Sequence, residues 1–125
     1  MANKKILFVD DDQDLVKAMT IRLKANDYHV VTATDAISAI SVARKEKPDL
    51  IILDIGLPAG SGFDVMERLK LLPGPKIPVI ILTAREPVVH KAMAFIEGAE
   101  DFFQKPVDNE KLLAAIQKAL ERAEK

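Results

Sequence analysis

Several residues able to do chemistry stand just after short apolar runs in this chain. Asp10, Asp11 and Asp12 follow Ile6-Leu7-Phe8-Val9, and Asp54 follows Leu50-Ile51-Ile52-Leu53. Thr83 and Ala84 follow Val79-Ile80-Ile81-Leu82, while Lys105, with Pro106 after it, comes shortly after Phe102-Phe103. Gathered at one edge, these would be several carboxylates, one hydroxyl and one ammonium. Two like charges about 4 Å apart repel by on the order of 4 kcal/mol at an effective dielectric near 20. One lysine cannot neutralise three acids, but a divalent cation can. An all-oxygen donor set with room for water suits Mg²⁺, with Mn²⁺ as the alternative, better than zinc. Magnesium is commonly shared with a phosphate, and Thr83 and Lys105 are suitable partners for phosphate oxygens. Asp54 then reads as a metal ligand, or as a nucleophile that attacks phosphorus to form an acyl phosphate.

The elements that must position these groups follow from hydrophobic patterning. The four runs above and His29-Val30-Val31-Thr32-Ala33 are mostly β-branched and lack strict alternation. That pattern suits strands covered on both faces, hence a parallel sheet. Between them lie helical spacings: Leu15, Met19 and Leu23; Ile37, Ile40 and Ala43; Met66 and Leu69; Val89, Met93 and Ile96; Leu113, Ile116 and Leu120. Asp35, Ser61 and Asp108 are candidate helix caps, and Pro87 suits a first helical turn. Phe95, Phe103 and the methionines at helical spacing read as core. His29 and His90 lack acid or metal-ligand neighbours and read as structural or solvated. Five strands alternating with five helices predict a doubly wound α/β domain with helices on both sheet faces. In such folds ligands bind beyond the carboxyl ends of the strands, where these polar residues stand. The Pro/Gly-dense stretch 72–78 reads as a connection inside one domain.

Composition bounds the alternatives. The 125 residues are 49% hydrophobic and 30% charged, which predicts one folded domain spanning 1–125 with no output domain. Eighteen basic and nineteen acidic residues give a net charge of −1, so there is no global basic field to hold nucleic acid directly. The absence of cysteine excludes disulfides, thiol catalysis and zinc-thiolate or iron–sulfur sites. The N-terminal apolar run is too short for a signal peptide or membrane span, so the expectation is a cytoplasmic protein without membrane contact. No Gly-x-Gly-x-x-Gly follows the first run, which disfavours dinucleotide binding.

Together the motifs resemble the receiver domain of two-component response regulators, in its chemotaxis-regulator-like form. The likeness rests on Val9-Asp10-Asp11-Asp12, Pro48-Asp49 through Asp54 with Leu57-Pro58 and Ser61-Gly62, Pro78 through Ala84, Gly98 through Phe102, and Lys105-Pro106. It runs from about Lys5 to the last helix. The resemblance implies a flavodoxin-like fold with strand order 2-1-3-4-5. It implies that Asp11 binds Mg²⁺ directly and Asp10 through water, with Asp54 and the Gly56 backbone carbonyl completing the protein ligands. Asp54 becomes the phosphoacceptor, Thr83 bonds the phosphoryl group, and Lys105 pairs with it. Pro106 marks a cis peptide that helps aim the lysine. Thr83 and Phe102 form the switch pair, and Phe102, lacking a phenolic hydroxyl, works by packing alone. Gly56 and Arg85 tune dephosphorylation. Asp12 falls outside the acid pair and reads as the entry to the first helix, with Asp14 as a favourable first-turn charge.

The implied function is a switch. A histidine kinase or histidine phosphotransfer protein donates a phosphoryl group to Asp54, and the surface formed by about Pro87–Lys125 then controls a partner or a covalently linked output domain. The domain is regulatory rather than an enzyme, though it catalyses its own phosphorylation and dephosphorylation. It is expected to be a monomer or an activation-dependent dimer, stand-alone or excised from a longer protein. The alternative is a phosphorylation-independent partner-binding receiver. A haloacid-dehalogenase-like phosphatase is disfavoured, because that family needs an Asp where Gly56 stands.

Overall fold

Five runs of the chain form strands because each pairs its backbone with a parallel neighbour, and the three central ones bury side chains on both faces. The computed structural model describes residues 3–57, 62–84, 93–95 and 97–124. In chain order the elements are β1 (Lys5–Val9), α1 (Gln13–Ala25), β2 (His29–Ala33), α2 (Ala36–Glu46), β3 (Leu50–Leu53), α3 (Gly62–Leu69), β4 (Val79–Thr83), β5 (Asp101–Gln104) and α4 (Asn109–Ala123). The sheet is parallel throughout, in the order β2-β1-β3-β4-β5.

Alternation along the strands splits the core into two layers. Leu7, Val9, Ile51, Leu53, Ile81 and Phe102 meet Ala36, Ala39 and Ala43 of α2 and Val65 and Met66 of α3. Ile6, Phe8, Leu50, Ile52, Ile80 and Leu82 meet Met19 and Leu23 of α1 and Leu112, Ile116 and Leu120 of α4. Strands buried on both faces need no polar alternation, which is why β3 and β4 read as unbroken apolar runs. Each fully buried Leu or Ile contributes roughly 1.5–3 kcal/mol relative to exposure.

The helix starts follow local chemistry. Asp12 caps α1 by accepting from the Leu15 N–H at 3.1 Å, and Asp35 caps α2 by accepting from the Ser38 N–H at 2.7 Å. Asp108 caps α4, accepting from the N–H groups of Glu110 and Lys111. Ser61, Pro87, Val89, His90 and Ile96 lie outside the described residues, and with them most of the predicted helix between β4 and β5. Residues 93–95 are helical. His29 is exposed at the start of β2, and Phe103 is half-buried against the second core layer.

Two core expectations are corrected. Ile37 is 67% exposed, because α2 packs through Ala36, Ala39 and Ala43. Those small residues let the helix approach the sheet closely and turn the stripe one residue away from Ile37. Phe95 and Met93 are each 44% exposed, because the buried position of that turn is Ala94 between them.

Candidate functional site

The backbones of the site residues are held by the last rungs of the sheet. The Asp10 N–H donates to the Ala33 carbonyl at 3.1 Å, and the Asp54 N–H to the Val9 carbonyl at 3.0 Å. On the other flank the Lys105 N–H donates to the Thr83 carbonyl at 2.8 Å. Neighbouring strands therefore grip each residue's main chain at the common carboxyl edge, where apolar pairing stops and polar side chains begin. The Lys105–Pro106 peptide bond is cis.

The side chains converge. Asp54 is 7% exposed and Asp10 only 1%, while Asp11 beside them is exposed. Asp54 Oδ1 accepts from Thr83 Oγ1 at 2.8 Å and from the Gly56 N–H at 2.9 Å. Its Oδ2 lies 3.3 Å from Lys105 Nζ. Asp10 Oδ1 accepts from the Asp12 N–H at 2.9 Å. Asp10 Oδ2 stands 2.7 Å from Lys105 Nζ as an ion pair, yet it accepts no well-directed hydrogen bond. Lys105 thus bridges the two buried acids and sits closer to Asp10.

Burial pushes the Asp10 carboxyl above the usual aspartate range, against the Lys105 ammonium and the Asp12 N–H, with Asp54 adding repulsion. For Lys105, burial works to lower the value, but the two facing carboxylates together hold it above the usual lysine range. One ion pair thus leaves both partners shifted upward. Lys105 gains two anions, whereas Asp10 gains one shared cation and loses nearly all its water.

The donor set fits a hard divalent cation. Carboxylate oxygens of Asp10, Asp11 and Asp54 lie within 4.8 Å of one another. One of them, Asp10 Oδ2, is buried with the Lys105 ammonium as its neighbour and no well-directed hydrogen bond. All-oxygen ligation with an exposed side for water matches Mg²⁺ chemistry.

Three features were not legible beforehand. Lys105 appeared as a partner for phosphate, and its contact with Asp10 is the shorter one. The Asp12 backbone orients Asp10 while its side chain caps α1. Third, Gly62 touches the loop that carries Asp54. A Cβ there would stand 2.5 Å from Ile55 Cα and 2.8 Å from the Asp54 carbonyl oxygen. The Gly62 N–H also donates to the Ile55 carbonyl at 3.1 Å. Only the Ser-Gly motif hinted at it. Phe102, in register with Ile81, is buried on the sheet face that also carries Thr83. Arg85 lies outside the described residues.

Comparison with known proteins agrees with this architecture. Residues 6–117 match the family model of the response regulator receiver domain. The chain is 37% identical over 125 residues to the alkaline phosphatase synthesis transcriptional regulatory protein PhoP of Bacillus subtilis, covering 98% of this chain and 50% of that protein. It is 37% identical over 122 residues to the DNA-binding dual master transcriptional regulator RpaA of Synechocystis, covering 97% and 51%. The chain spans about half the length of these curated relatives. Among solved structures, a CheY-like response regulator receiver domain protein from Methanospirillum hungatei superposes with a TM-score of 0.90 at 29% identity, over 98% of this chain and 97% of that one. The BeF3-activated N-terminal receiver domain of RstA from Klebsiella pneumoniae superposes at 0.85 with 30% identity, over 93% and 97%. This chain belongs to the receiver domains of two-component response regulators.

Proposed function

We propose that this receiver is a phosphorylation-dependent switch whose phosphoacceptor is Asp54. The observation that carries the reading is the position of one buried carboxylate between a hydroxyl donor and an ammonium, beside two further acids. The donor is a phosphohistidine on a kinase or histidine phosphotransfer protein. An Asp54 oxygen attacks phosphorus, the P–N bond breaks, and the imidazole leaves with a proton. Water later attacks the acyl phosphate, releasing inorganic phosphate and restoring the carboxylate. Asp10, Asp11, Asp54 and the Gly56 carbonyl would hold Mg²⁺, which supplies charge neutralisation for the phosphoryl oxygens. Lys105 holds positive charge at the same edge and leaves Asp10 for the phosphoryl group. Positioning and electrostatics of this kind carry most of the catalysis in phosphoryl transfer.

The readout begins at Thr83. Its hydroxyl has one proton to donate, and Asp54 Oδ1 receives it here. A phosphoryl oxygen on Asp54 competes for that proton. Any resulting shift is felt by Phe102, which packs on the same face one strand away. In this reading residues 87–125 carry the change to a downstream protein or linked output domain. Gly56 and Arg85 set the phosphoryl lifetime.

The test is intact mass after incubation with acetyl phosphate, with and without Mg²⁺, on wild type and Asp54→Asn. A Mg²⁺-dependent gain of one phosphoryl group, absent in the variant, is expected. No gain in folded, Mg²⁺-binding wild type would refute the switch and favour a phosphorylation-independent binding module.

A further inference from the structure

At the pole opposite Asp54, α2, the 72–78 connection and the C-terminal helix enclose a cleft of about 410 Å³. Its walls include Lys4, Pro48 and Pro78, which precede β1, β3 and β4, so it shares no residue with the phosphoacceptor edge. Ala43, Leu69, Leu72, Ile77 and Leu120 give it an apolar floor. A smaller lobe of about 220 Å³ continues past Leu72 and Lys76 toward Gly98.

The charges around this cleft are unbalanced. Of its two acids, Glu124 pairs with Lys4 at 3.1 Å, and Asp49 accepts a hydrogen bond from the Lys5 N–H at 2.7 Å. Arg44, Lys47 and Lys76 have no ion-pair partner among the described residues. Lys47 is held at the mouth by the left-handed turn that ends α2, at φ 48°, an uncommon conformation for a residue with a side chain. The Lys76 ammonium lies beside Gly98, 3.3 Å from where a Cβ there would stand, and so marks the junction of the two lobes. Lys4, Arg44, Lys47 and Lys76 against Asp49 and Glu124 leave the lining net positive, above an apolar floor.

We propose that this cleft binds a small organic anion with an apolar body, its acidic group meeting Arg44, Lys47 and Lys76 and its body covering Leu69, Leu72 and Ile77. The volume falls in the usual range for small-molecule sites, about 300–1,000 Å³, and such sites combine apolar walls with a few convergent polar groups. A bare inorganic anion leaves the floor uncovered, and a neutral hydrocarbon leaves the three cations unmatched. The site stands independently of the chemistry at Asp54, as a second input to the domain.

The probe is anilinonaphthalene sulfonate, an aromatic body with one sulfonate, titrated by fluorescence into the whole chain. Its uncharged relative N-phenylnaphthylamine is run in parallel. One sulfonate probe should bind per chain. The Arg44→Glu/Lys47→Glu variant alters only exposed side chains, so its circular dichroism should match wild type. It should bind the sulfonate at least about tenfold more weakly, since two of the three cations reverse sign, and the neutral probe with unchanged affinity. Leu72→Gln should weaken both probes. Equal sulfonate binding by wild type and the charge-reversed variant would overturn the proposal, as would no saturable binding at all. Displacement of the bound sulfonate by a peptide of alternating Glu and Leu that binds more tightly than the sulfonate does in its own titration would also overturn it, in favour of a protein partner.

Discussion

Replacing Gly62 with alanine tests whether α3 positions the phosphoacceptor loop. The added Cβ would lie 2.5 Å from Ile55 Cα, 2.8 Å from the Asp54 carbonyl oxygen and 3.0 Å from the Ile55 Cγ2. Ordinary contact begins near 3.4 Å, so helix and loop must part by about 1 Å. Two of the three opposing atoms are backbone and cannot swing aside. Overpacking of this kind costs typically ~1–3 kcal/mol. Alanine regains at most ~1 kcal/mol through helix propensity and reduced freedom of the unfolded chain. At the middle of the overpacking range the clash wins by about 1 kcal/mol, which for a domain of this size lowers the Tm by roughly 4 °C. The displaced backbone carries the carboxylate that meets Thr83 at 2.8 Å and Lys105 at 3.3 Å. A misplacement near 1 Å can slow a positioned reaction by up to ~10²-fold. The assay is thermal unfolding together with the initial rate of Mg²⁺-dependent phosphorylation by acetyl phosphate. Gly74→Ala is the control: with φ at +100° and nothing within 4 Å, it strains the fold far from Asp54. It should lower the Tm and leave the rate unchanged. If Gly62→Ala keeps the wild-type Tm, or phosphorylates within twofold of the wild-type rate, the positioning argument is wrong.

Asp12→Ala should remove the α1 cap and cost about 1 kcal/mol, while the Mg²⁺ response persists, because the backbone N–H at position 12 still holds Asp10; a lost Mg²⁺ response would make Asp12 a ligand. Mg²⁺ should raise the Tm by mass action on the folded state, and Asp11→Asn, an exposed substitution, should abolish most of that rise when NaCl controls for ionic strength. An equal rise in both proteins would remove Asp11 from the metal site. With EDTA present, Asp10 should set a pH dependence. Its folded pKa is raised, so the native state holds the proton longer than the unfolded chain, and stability falls as pH climbs from the unfolded value to the folded one. Asp10→Asn should flatten that limb in urea titrations and gain stability at pH 7; a loss at pH 7 would reverse the sign. Lys105, also raised, contributes stability that is whole below the unfolded lysine value and lost as pH passes the folded one, so Lys105→Met should weaken the alkaline limb of the same titration.

What could be read from the sequence depended on how locally each feature is encoded. The centre of the sheet was legible because β1, β3 and β4, covered on both faces, are apolar almost end to end. The residue that breaks the run then marks the carboxyl edge, as Asp10, Asp54 and Thr83 do. The caps at Asp35 and Asp108 were legible because each partner N–H lies only two or three residues on. The failures share the opposite cause. Ile37 and Ala36 differ in exposure because α2 settles on small residues, a choice set by the sheet across from it. Gly62 matters through Ile55, a contact that no periodicity reports. Lys105 meets Asp10 across 95 residues of chain, and its closer approach to that acid follows from burial. Asp10 has lost its water and Asp11 has not, so the lysine's charge goes where solvent no longer screens. The cleft at the opposite pole is also a product of convergence: Arg44, Lys47 and Lys76 look like ordinary surface cations until they are found to line one cleft whose Glu124 is already paired with Lys4. Local chemistry thus fixed which residues reach the two ends of the sheet, and long-range packing decided which of them remain without a partner there.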